Sequence, residues 1–418
     1  MKEQECVVVI CSHGIDDPLV SILMLQYAIR LQQGGPCRPM LLFTEEPGEP
    51  EPSASVLKEM ADSGIQWHPL RYDLKGRQFL QRMRNIAVVC WRSHWFARGK
   101  KRKVAIAFLS MAGAYASVLR SLGFHHFVLV SFEPHSRYMV ELGVWRKGSM
   151  KVRASEYFER RQLRNADVVV APTQAAVQHV RQSGSHARVM HQGVTIDVRA
   201  NGRREERRSA LRRELGLEEC IVLNYAGKFN GLYYSEADYV QFMAALCNLD
   251  ERVHHLIVTF PEHAGRLHAA AGAMGLQKRL TIIGPVPPEE LTDYLSASDV
   301  GVIAVPPTPS QAFRTPVKSA LYWAAGLPII IPKGISDDWM IARDHHVGHV
   351  VEDLLRFDPE LLRAWLSSVT KERAELRRRC TEVALKYRDT ARMVEVLREA
   401  LAEAVEVESV PPLPGHAC

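Results

Sequence analysis

No two of the eight cysteines stand in the CxxC spacing of a structural zinc site, and no histidine cluster lies beside a cysteine. The sequence therefore indicates neither a zinc site nor a disulfide framework, and a reducing cytoplasm is the environment that fits it best. No run of roughly eighteen apolar residues is present, and the N-terminal residues enter a strand pattern without the layout of a signal peptide. We therefore expect a cytoplasmic protein that does not span a membrane.

The sequence also lacks the common phosphate-binding patterns GxxxxGK[ST] and GxGxxG, and it contains no recognised nucleic-acid module or aromatic RNP pattern. Apolar residues make up 47% of the chain and charged residues 24%, which is typical of a soluble globular protein. A chain of 418 residues is long enough for two or three domains.

Short apolar runs alternate with helical patterns along the chain, which is typical of parallel sheets covered by helices. An Arg-rich polar stretch at residues 199–213 separates two sets of runs. The first set is Val7–Cys11, Pro39–Phe43, Phe127–Phe132 and Val168–Ala171, and the second is Ile221–Ala226, Leu256–Phe260, Leu280–Ile283, Val300–Ala304 and Ile329–Ile331. We predict an α/β protein with two doubly wound halves, and we expect ligands in a cleft between the carboxyl ends of their sheets.

These patterns give the following predicted boundaries. Residues 1–200 and 201–385 form two Rossmann-like domains, residues 386–405 form a helix that packs back on the N-terminal domain, and residues 406–418 form a disordered tail.

The stretch from Phe313 to Asp338 has the pattern of a loop-helix-strand unit in which the start of the helix holds an anion. Thr315 can cap this helix, Pro316 suits its first position, and Gly326 can end it in the left-handed conformation. The helix start offers unpaired N–H groups, and Arg314 and Lys318 add full positive charges beside it. The pattern predicts a diphosphate site, with an ordinary α/β helix as the alternative.

Further candidate site residues follow three of the predicted strands. Gly14 follows the first strand of the chain and would let the backbone approach a ligand closely. Gly227 and Lys228 follow the first strand of the second half, where a lysine suits a phosphate. Glu133 and His135 follow the third strand of the first half, where proton handling or orientation of a hydroxyl is one role and a structural histidine is the other.

The net charge of +6 is unevenly distributed, with 27 Lys+Arg against 17 Asp+Glu in residues 1–200 and 26 against 30 in the rest. Between Arg71 and Lys103, eleven basic residues accompany one acidic residue, Asp73. An apolar stripe at helical spacing beside these basic residues is typical of a helix on an anionic membrane surface; it comprises Phe79, Met83, Ile86 and Cys90. A core-facing helix with a solvated basic flank is the alternative, and a nucleic-acid partner is not expected.

Three groups of residues resemble family 4 glycosyltransferases in their order and spacing. They are Gly227-Lys228-Phe229 with Leu232-Tyr233-Tyr234, Leu280 to Val286 with Leu291 to Asp299, and Thr315 to Lys318 with Tyr322 to Pro328. In the first half, a looser likeness covers Glu156, Asn165 to Val170 and His191 to Val194. The resemblance implies a GT-B architecture of two facing Rossmann-like domains, in which the second mainly binds a nucleotide-sugar and the first mainly binds the acceptor.

The resemblance further implies transfer of a sugar, with retention and without a metal or other cofactor, to a hydroxyl acceptor that is a glycan or is lipid-linked. Lys228 would hold the donor diphosphate and Lys318 would lie at the phosphate-binding helix. The other implied donor-site residues are Gly284, Val286 and Tyr322, and His135 would face the donor sugar. Because no metal takes part, lysine, arginine and a helix start must stabilise the charge of the departing nucleoside diphosphate.

Two positions depart from the family pattern. Leu321 stands where the family usually carries a glutamate that holds the ribose hydroxyls, and Phe313 stands where many members carry another. A leucine cannot accept a hydrogen bond, so Glu236 or Asp238 replaces that carboxylate, or donor affinity is reduced or lost. A glycosyltransferase-like binding or assembly protein without catalysis, and an epimerase of the same fold, therefore stand beside the transferase hypothesis.

Overall fold

The computed structural model describes residues 5–33, 38–50, 52–71, 73, 78–131 and 133–407. Packing divides the chain into two units: unit 1 is Met1–Gly193 with Ala391–Cys418, and unit 2 is Val194–Thr390. Most of the predicted tail at 406–418 lies outside the described residues. Within the described ranges, no helix is both long enough and apolar enough to cross a membrane.

The described part of unit 1 contains a parallel sheet of seven strands in the order β3-β2-β1-β4-β5-β6-β7. The order reverses between β1 and β4, as in a doubly wound fold. The strands are β1 Glu5–Cys11, β2 Met40–Glu46, β3 Ile65–Arg71, β4 Arg102–Phe108, β5 His126–Val130, β6 Val168–Ala171 and β7 Arg188–His191. The predicted third strand ends at Val130 because Ser131 has a positive φ of 57°; Phe132 lies outside the described residues.

Helices cover this sheet, and serine or threonine caps several of them. Ser149 and Thr173, for example, accept hydrogen bonds from the N–H groups of Val152 and Ala176. The helices are α1 Leu25–Gln33 after a π-helical turn at Leu19–Met24, α2 Ala54–Asp62, α3 Gln78–Phe96, α4 Leu109–Ser121, α5 His135–Glu141, α6 Met150–Asn165 and α7 Gln174–Gln182.

The sheet of unit 2 has six parallel strands in the order β10-β9-β8-β11-β12-β13 among the described residues. The strands are β8 Ile221–Ala226, β9 Val253–Val258, β10 Leu280–Ile283, β11 Val300–Val302, β12 Ile329–Pro332 and β13 Gly348–Val351. The helices of unit 2 are α8 Glu205–Glu214, α9 Glu236–Leu249, α10 Pro261–Ala273, α11 Pro288–Ala297, α12 Val317–Ala324, α13 Asp338–Asp344, α14 Pro359–Lys371 and α15 Arg373–Tyr387. Helix α16 Thr390–Val407 belongs to unit 1 from Ala391 onwards. The two parallel α/β sheets confirm the predicted fold class.

The central strands are buried on both faces, which is why they appear in the sequence as unbroken apolar runs. Val7, Val8 and Ile10 of β1 have no exposed area, and neither have the three isoleucines of β12. Helix α16 packs on unit 1: the ring of His126 lies 2.9 Å from the carbonyl oxygen of Ala400, and Arg102 donates to the carbonyl of Leu401.

The side of α3 that is buried differs in part from the predicted apolar stripe. The side of α3 that faces the core carries Asn85, Val89 and Ser93, and Ala97 continues it just past the end of the helix; all four are at most 1% exposed. Two residues of the predicted stripe, Ile86 and Cys90, pack half-buried beside this side, whereas Met83 is 47% exposed; the Phe79 side chain lies outside the described residues. The stripe therefore contributes partly to the core, as in the core-facing alternative.

Candidate functional site

The predicted donor-site residues of unit 2 lie at one edge of its sheet. Gly227 follows β8, Gly284 follows β10, and α12 begins shortly after the loop that follows β11. Because the strands are parallel, their carboxyl ends meet at this edge.

Gly227 and Lys318 are in direct contact. The N–H of Gly227 donates to the carbonyl of Val258 at 2.9 Å, which fixes the end of β8 against β9. Gly227 has a φ of 150°, and a Cβ atom on it would lie 2.8 Å from Lys318 Nζ. Only a glycine therefore leaves room for the lysine of α12 to cross the end of β8.

Aromatic rings hold the ammonium group of Lys318. Its Nζ lies 4.4 Å from the ring centroid of Tyr233 and 5.5 Å from that of Tyr225. Both distances are in the range of a cation–π interaction. Among the described residues, the ammonium has no carboxylate or carbonyl partner, so its N–H donors remain available to an anion.

Lys228 lies next to this contact. Its side chain is exposed, with Nζ 5.1 Å from the ring centroid of Phe260, and its carbonyl accepts a hydrogen bond from the Tyr225 hydroxyl. Tyr225 thus touches both lysines, with its ring beneath one and its hydroxyl on the backbone of the other. Sequence reasoning assigned no site role to Tyr225, Tyr233 or Phe260, although Tyr225 and Phe260 lie in predicted strands and Tyr233 lies in a motif that resembles the family.

The helix start differs by one residue from the prediction. Pro316, not Thr315, is the N-cap of α12, and it supplies no side-chain hydrogen bond. The end of the helix agrees with the prediction: Gly326 has a φ of 72°, and the N–H of Leu327 donates to the carbonyl of Tyr322 at 2.8 Å. These contacts form a Schellman motif, which requires the left-handed residue.

Tyr322 lies beneath the site and not at its surface. It is 1% exposed, and its ring fits against Gly301, where a Cβ atom would come within 2.4 Å. Its hydroxyl accepts from the N–H of Ala226 at 3.2 Å and donates to the carbonyl of Asn224 at 3.3 Å. Burial raises the pKa of this hydroxyl. The residue therefore supports the end of β8 from below.

Glu236 does not offer a carboxylate to a ribose. Its Oε1 accepts from His263 Nδ1 at 2.8 Å and from Arg266 Nε at 2.6 Å, and its Oε2 accepts from Asn230 Nδ2 at 2.6 Å. Burial alone would raise the pKa of Glu236, but these hydrogen bonds outweigh it and lower the pKa to about 2. The ionised group holds the loop between β8 and α9.

Asp238 is also occupied, because it forms a capping box with Ser235 at the start of α9. Both carboxylates that the sequence suggested as substitutes for the family glutamate at Leu321 are therefore engaged within the chain, Glu236 through both oxygens and Asp238 through Oδ2. The remaining donor-site residues are on the same edge. The carbonyl of Ile283 accepts from the N–H of Thr259 at 3.0 Å, and the exposed Gly284 and half-buried Val286 follow it.

In unit 1, the side chain of Glu46 leaves no room for a Cβ atom at Gly14. A Cβ atom at this position would lie 2.4 Å from Glu46 Oε2. Glu46 Oε1 accepts from the N–H of Ile15 at 2.9 Å and from the Thr44 hydroxyl. The close approach predicted for Gly14 is therefore made by a carboxylate of the chain itself.

A buried polar cluster surrounds Glu45, which sequence reasoning did not single out. Glu45 is 3% exposed and accepts from the Tyr115 hydroxyl. Burial raises the pKa of Glu45, while Tyr115, Arg82 and His13 act in the opposite direction. The available signal was the pair of glutamates, Glu45 and Glu46, that ends β2 one residue after its apolar run.

Glu133 and His135 lie where α5 begins. The backbone of Glu133 is held by the Ser110 hydroxyl, to which its N–H donates at 3.3 Å. His135 is the first residue of α5, and its ring lies edge-on to Trp145 at 5.4 Å between centroids. Both side chains are half-buried.

Within the described part of the chain, no group of three or more His, Cys, Asp and Glu side chains is placed to hold a metal ion.

Comparison with known proteins extends these observations. Residues 266–398 match the family model described as "Glucosyltransferase 3-like, C-terminal domain", which covers less than half of the chain. No curated protein matches the sequence. HepE from Anabaena, solved in complex with UDP, has a TM-score of 0.70 at 12% identity over 95% of this chain and 100% of that chain.

Two further solved structures have the same architecture. Sucrose-phosphate synthase from Thermosynechococcus elongatus has a TM-score of 0.69 at 16% identity, over 95% of this chain and 100% of that chain. WaaG, a glycosyltransferase involved in lipopolysaccharide biosynthesis, has a TM-score of 0.63 at 14% identity, over 93% of this chain and 99% of that chain. The chain has the GT-B fold. The likeness to GT-B glycosyltransferases that the sequence motifs indicated is thereby confirmed.

Within this GT-B chain, the structure brings Gly227, Lys228 and Lys318 together and places the start of α12 beside them. Arg314 and Thr315 immediately precede that start; Arg314 is half-buried and Thr315 is 8% exposed. Glu133 and His135 belong to unit 1 and the lysines to unit 2.

Proposed function

We propose that the protein is a family 4-like retaining glycosyltransferase that moves a sugar from a nucleoside diphosphate sugar to a hydroxyl acceptor without a metal. The observation that carries this proposal is the pair of lysines at the carboxyl edge of the second sheet. Within the described residues, Lys228 and Lys318 have aromatic rings but no carboxylate as partners. Two such cations beside a helix start suit a diphosphate. HepE, which has been solved in complex with UDP and with UDP-glucose, supports a nucleotide-sugar donor.

In the proposed reaction, the bond between the anomeric carbon and the diphosphate oxygen breaks, and the acceptor oxygen bonds to the same face of that carbon. The acceptor proton passes to the departing phosphate. Lys228 and Lys318 stabilise the charge that grows on the diphosphate, because preorganised cations act most strongly where charge develops in the transition state. Glu133 and His135 orient the sugar or the acceptor.

A nucleotide screen tests the proposal. UDP, GDP, ADP, CDP and dTDP are added separately, and thermal unfolding is measured for the wild type and for Lys228→Met/Lys318→Met. A ligand at 100 times its dissociation constant stabilises the protein by about 2.7 kcal/mol. We expect one nucleotide to stabilise the wild type and not the double variant.

The same screen separates the alternatives. A protein that has lost catalysis and donor binding shows no stabilisation by any of the nucleotides, which would contradict the transferase proposal. An epimerase is stabilised, but mass spectrometry then shows an isomerised sugar nucleotide without an acceptor. A transferase releases the nucleoside diphosphate and yields a glycosylated acceptor.

We further propose that the protein works at an anionic membrane surface and that its acceptor is presented there. Helix α3 supports this location, because the side of the helix that faces away from the core is apolar and aromatic. Its exposed large apolar residues are Leu80 at 55%, Met83 at 47%, Trp91 at 57% and Trp95 at 54%.

Arginines flank these exposed tryptophans. The guanidinium of Arg92 lies 5.0 Å from the ring centroid of Trp91, and that of Arg98 lies 5.2 Å from the ring centroid of Trp95. Lys100 and Lys101 follow directly. Tryptophans beside cationic side chains are typical of helices that lie in a membrane interface.

A further inference from the structure

Unit 2 contains a second concentration of positive charge, on the edge of its sheet opposite to the lysines. Asp299 directly precedes β11, so it lies at the amino ends of the parallel strands. Its carboxylate is fully buried and accepts from the N–H of Val222 at 3.0 Å. Four arginines surround this carboxylate, with N–O distances of 2.8 Å for Arg208, 3.0 Å for Arg212, 3.2 Å for Arg373 and 3.6 Å for Arg377.

Two of these arginines, Arg208 and Arg212, make further hydrogen bonds that account for their burial. Arg208 also donates to the carbonyls of Ser296 and Ser298, and Arg212 donates to the carbonyl of Ala297 at 3.0 Å. These carbonyls lie at the end of α11, where a positive charge is favourable. Arg208 and Arg212 therefore join α8 to α11 and need no further partner.

The other arginines of the cluster are only partly satisfied by the chain. Arg203 Nη1 and Arg373 Nε are buried without a hydrogen-bond acceptor, and the buried Arg377 Nη2 lies 3.6 Å from Asp299, beyond hydrogen-bond distance. Arg203 pairs with Glu205 through its other nitrogens. Buried charged nitrogens are normally paired, because an unpaired one keeps its full desolvation cost.

The cluster also carries more positive than negative charge. Five guanidinium groups, those of Arg203, Arg208, Arg212, Arg373 and Arg377, stand with two carboxylates, those of Asp299 and Glu205. The Arg203–Glu205 pair belongs to this cluster because Arg203 repels Arg377 and Glu205 attracts it. Burial, followed by repulsion from Arg203 and Arg208, lowers the pKa of Arg377 to about 9. The chain itself therefore does not supply the negative charge that this cluster would require.

We propose that Arg203, Arg373 and Arg377 form an anion site, separate from the donor site, that binds a small dianion carrying a phosphate group. The planar guanidinium matches phosphate oxygens with two parallel N–H donors. Solvent reaches the site, since the side chains are 13%, 37% and 16% exposed. The bound anion would join the start of α8 to α15, which lie next in sequence to the two points where the chain passes between the units.

The test compares four forms of the full chain: the wild type, Arg373→Gln/Arg377→Gln, the donor-site variant Lys228→Met/Lys318→Met, and a control, Arg363→Gln/Arg378→Gln. The control loses the same charge from α14 and α15, but its arginines are exposed and paired with glutamates. Thermal unfolding is measured against inorganic phosphate, and separately against glycerol 3-phosphate, with potassium chloride keeping the ionic strength constant.

We expect a saturable rise in melting temperature with phosphate in the wild type, the control and the donor-site variant. In Arg373→Gln/Arg377→Gln the apparent affinity should fall by about ten-fold or more, because two charge-assisted donors are lost. A stronger response to glycerol 3-phosphate than to phosphate identifies an ester as the ligand, and equal responses identify the free ion.

Two outcomes would overturn the site. If the melting curves of the wild type and the arginine variant shift in parallel at every phosphate concentration, the cluster is only a structural ion pair. If the response disappears in the lysine variant and persists in the arginine variant, phosphate binds at the donor edge. Arg373→Gln alone, at the more exposed position, provides the same comparison if the double variant does not fold. Nucleotide binding at the donor site is measured separately, as the loss of stabilisation by nucleotides in the lysine variant. The proposed transferase function and the proposed anion site can therefore fail independently of each other.

Discussion

The ammonium group of Lys318 lies against the α-carbon of Gly227, so that the start of α12 and the end of β8 form one site although they are far apart in the sequence. Tyr225 and Tyr233 hold the ammonium from the side of β8. The position of the lysine therefore depends on a residue without a side chain and on two aromatic rings.

Substitution of Gly227→Ala should disturb this arrangement. The new Cβ would lie 2.7 Å from Lys318 Cε, and a φ of 150° is strained for alanine. We expect kcat/KM for sugar transfer to fall on the order of ten-fold or more, because the displaced lysine no longer faces the diphosphate. Gly231→Ala is the matched control, since Gly231 also has a positive φ, of 66°, but a Cβ there meets no atom within 4 Å. Equal losses in both variants would show that backbone strain, and not the lysine contact, is responsible.

The two lysines should act on the same step. Lys228→Ala and Lys318→Ala should each lower kcat by on the order of 10²-fold, which is the usual effect of removing one charge-stabilising donor. The control is Lys333→Ala, since Lys333 lies in unit 2 but pairs with Glu352 at 3.4 Å. Single-turnover kinetics with a nucleoside diphosphate sugar provide the measurement. Unchanged turnover in either variant would remove that lysine from the mechanism.

The sequence was sufficient for the fold because the central strands are apolar on both faces. It was less informative at the sheet edges, where β3 and β13 carry polar residues, and for α3, whose buried side includes Asn85 and Ser93. The central strand β4 was also not predicted, since its start lies in the basic run that ends at Lys103. The site was predicted as far as Gly227, Lys228 and the helix of Lys318. The aromatic partners of Lys318 and the burial of Tyr322 depend on packing between distant segments, which local periodicity does not report.

Leu321→Glu should strengthen nucleotide binding. Leu321 is half-buried on α12, at the position where the resemblance implies a ribose-binding glutamate, and both Glu236 and Asp238 are already occupied. A carboxylate there should gain about ten-fold in affinity for a nucleoside diphosphate through hydrogen bonds to the diol. Calorimetry with the ribonucleotide and its 2′,3′-dideoxy analogue checks this. An equal gain for the analogue would mean that the new charge does not contact the ribose.

Glu236→Gln should reduce stability in a pH-dependent way. The folded-state pKa of Glu236, about 2, lies below the ordinary value of 4.5, so its stabilising contribution is present above pH 4.5 and is lost as the pH falls towards 2. At pH 7 we expect the variant to lose about 2 kcal/mol of unfolding free energy, because charge-assisted hydrogen bonds are lost. Urea unfolding at pH 7, 5, 4 and 3 should show the difference from wild type shrinking at acidic pH. Glu352→Gln, an exposed position, should show little change, and a constant difference at every pH would contradict the assignment.

The exposed face of α3 should bind anionic vesicles through both its rings and its charges. Wild-type protein should co-sediment with vesicles containing phosphatidylserine and not with pure phosphatidylcholine, and added salt should weaken the binding because arginine and lysine supply the attraction.

Trp91→Ser/Trp95→Ser should lower this binding on the order of ten-fold, since buried aromatic area at the interface is lost. Met150→Ser/Leu361→Ser, at apolar positions that are 78% and 62% exposed elsewhere, should bind as the wild type does. Binding that resists salt, or that survives the loss of both tryptophans, would contradict the membrane assignment. If the tryptophan variant instead dissociates a dimer seen by analytical ultracentrifugation, the face joins two copies of the chain, because the same apolar area then serves self-association and is not available to a bilayer.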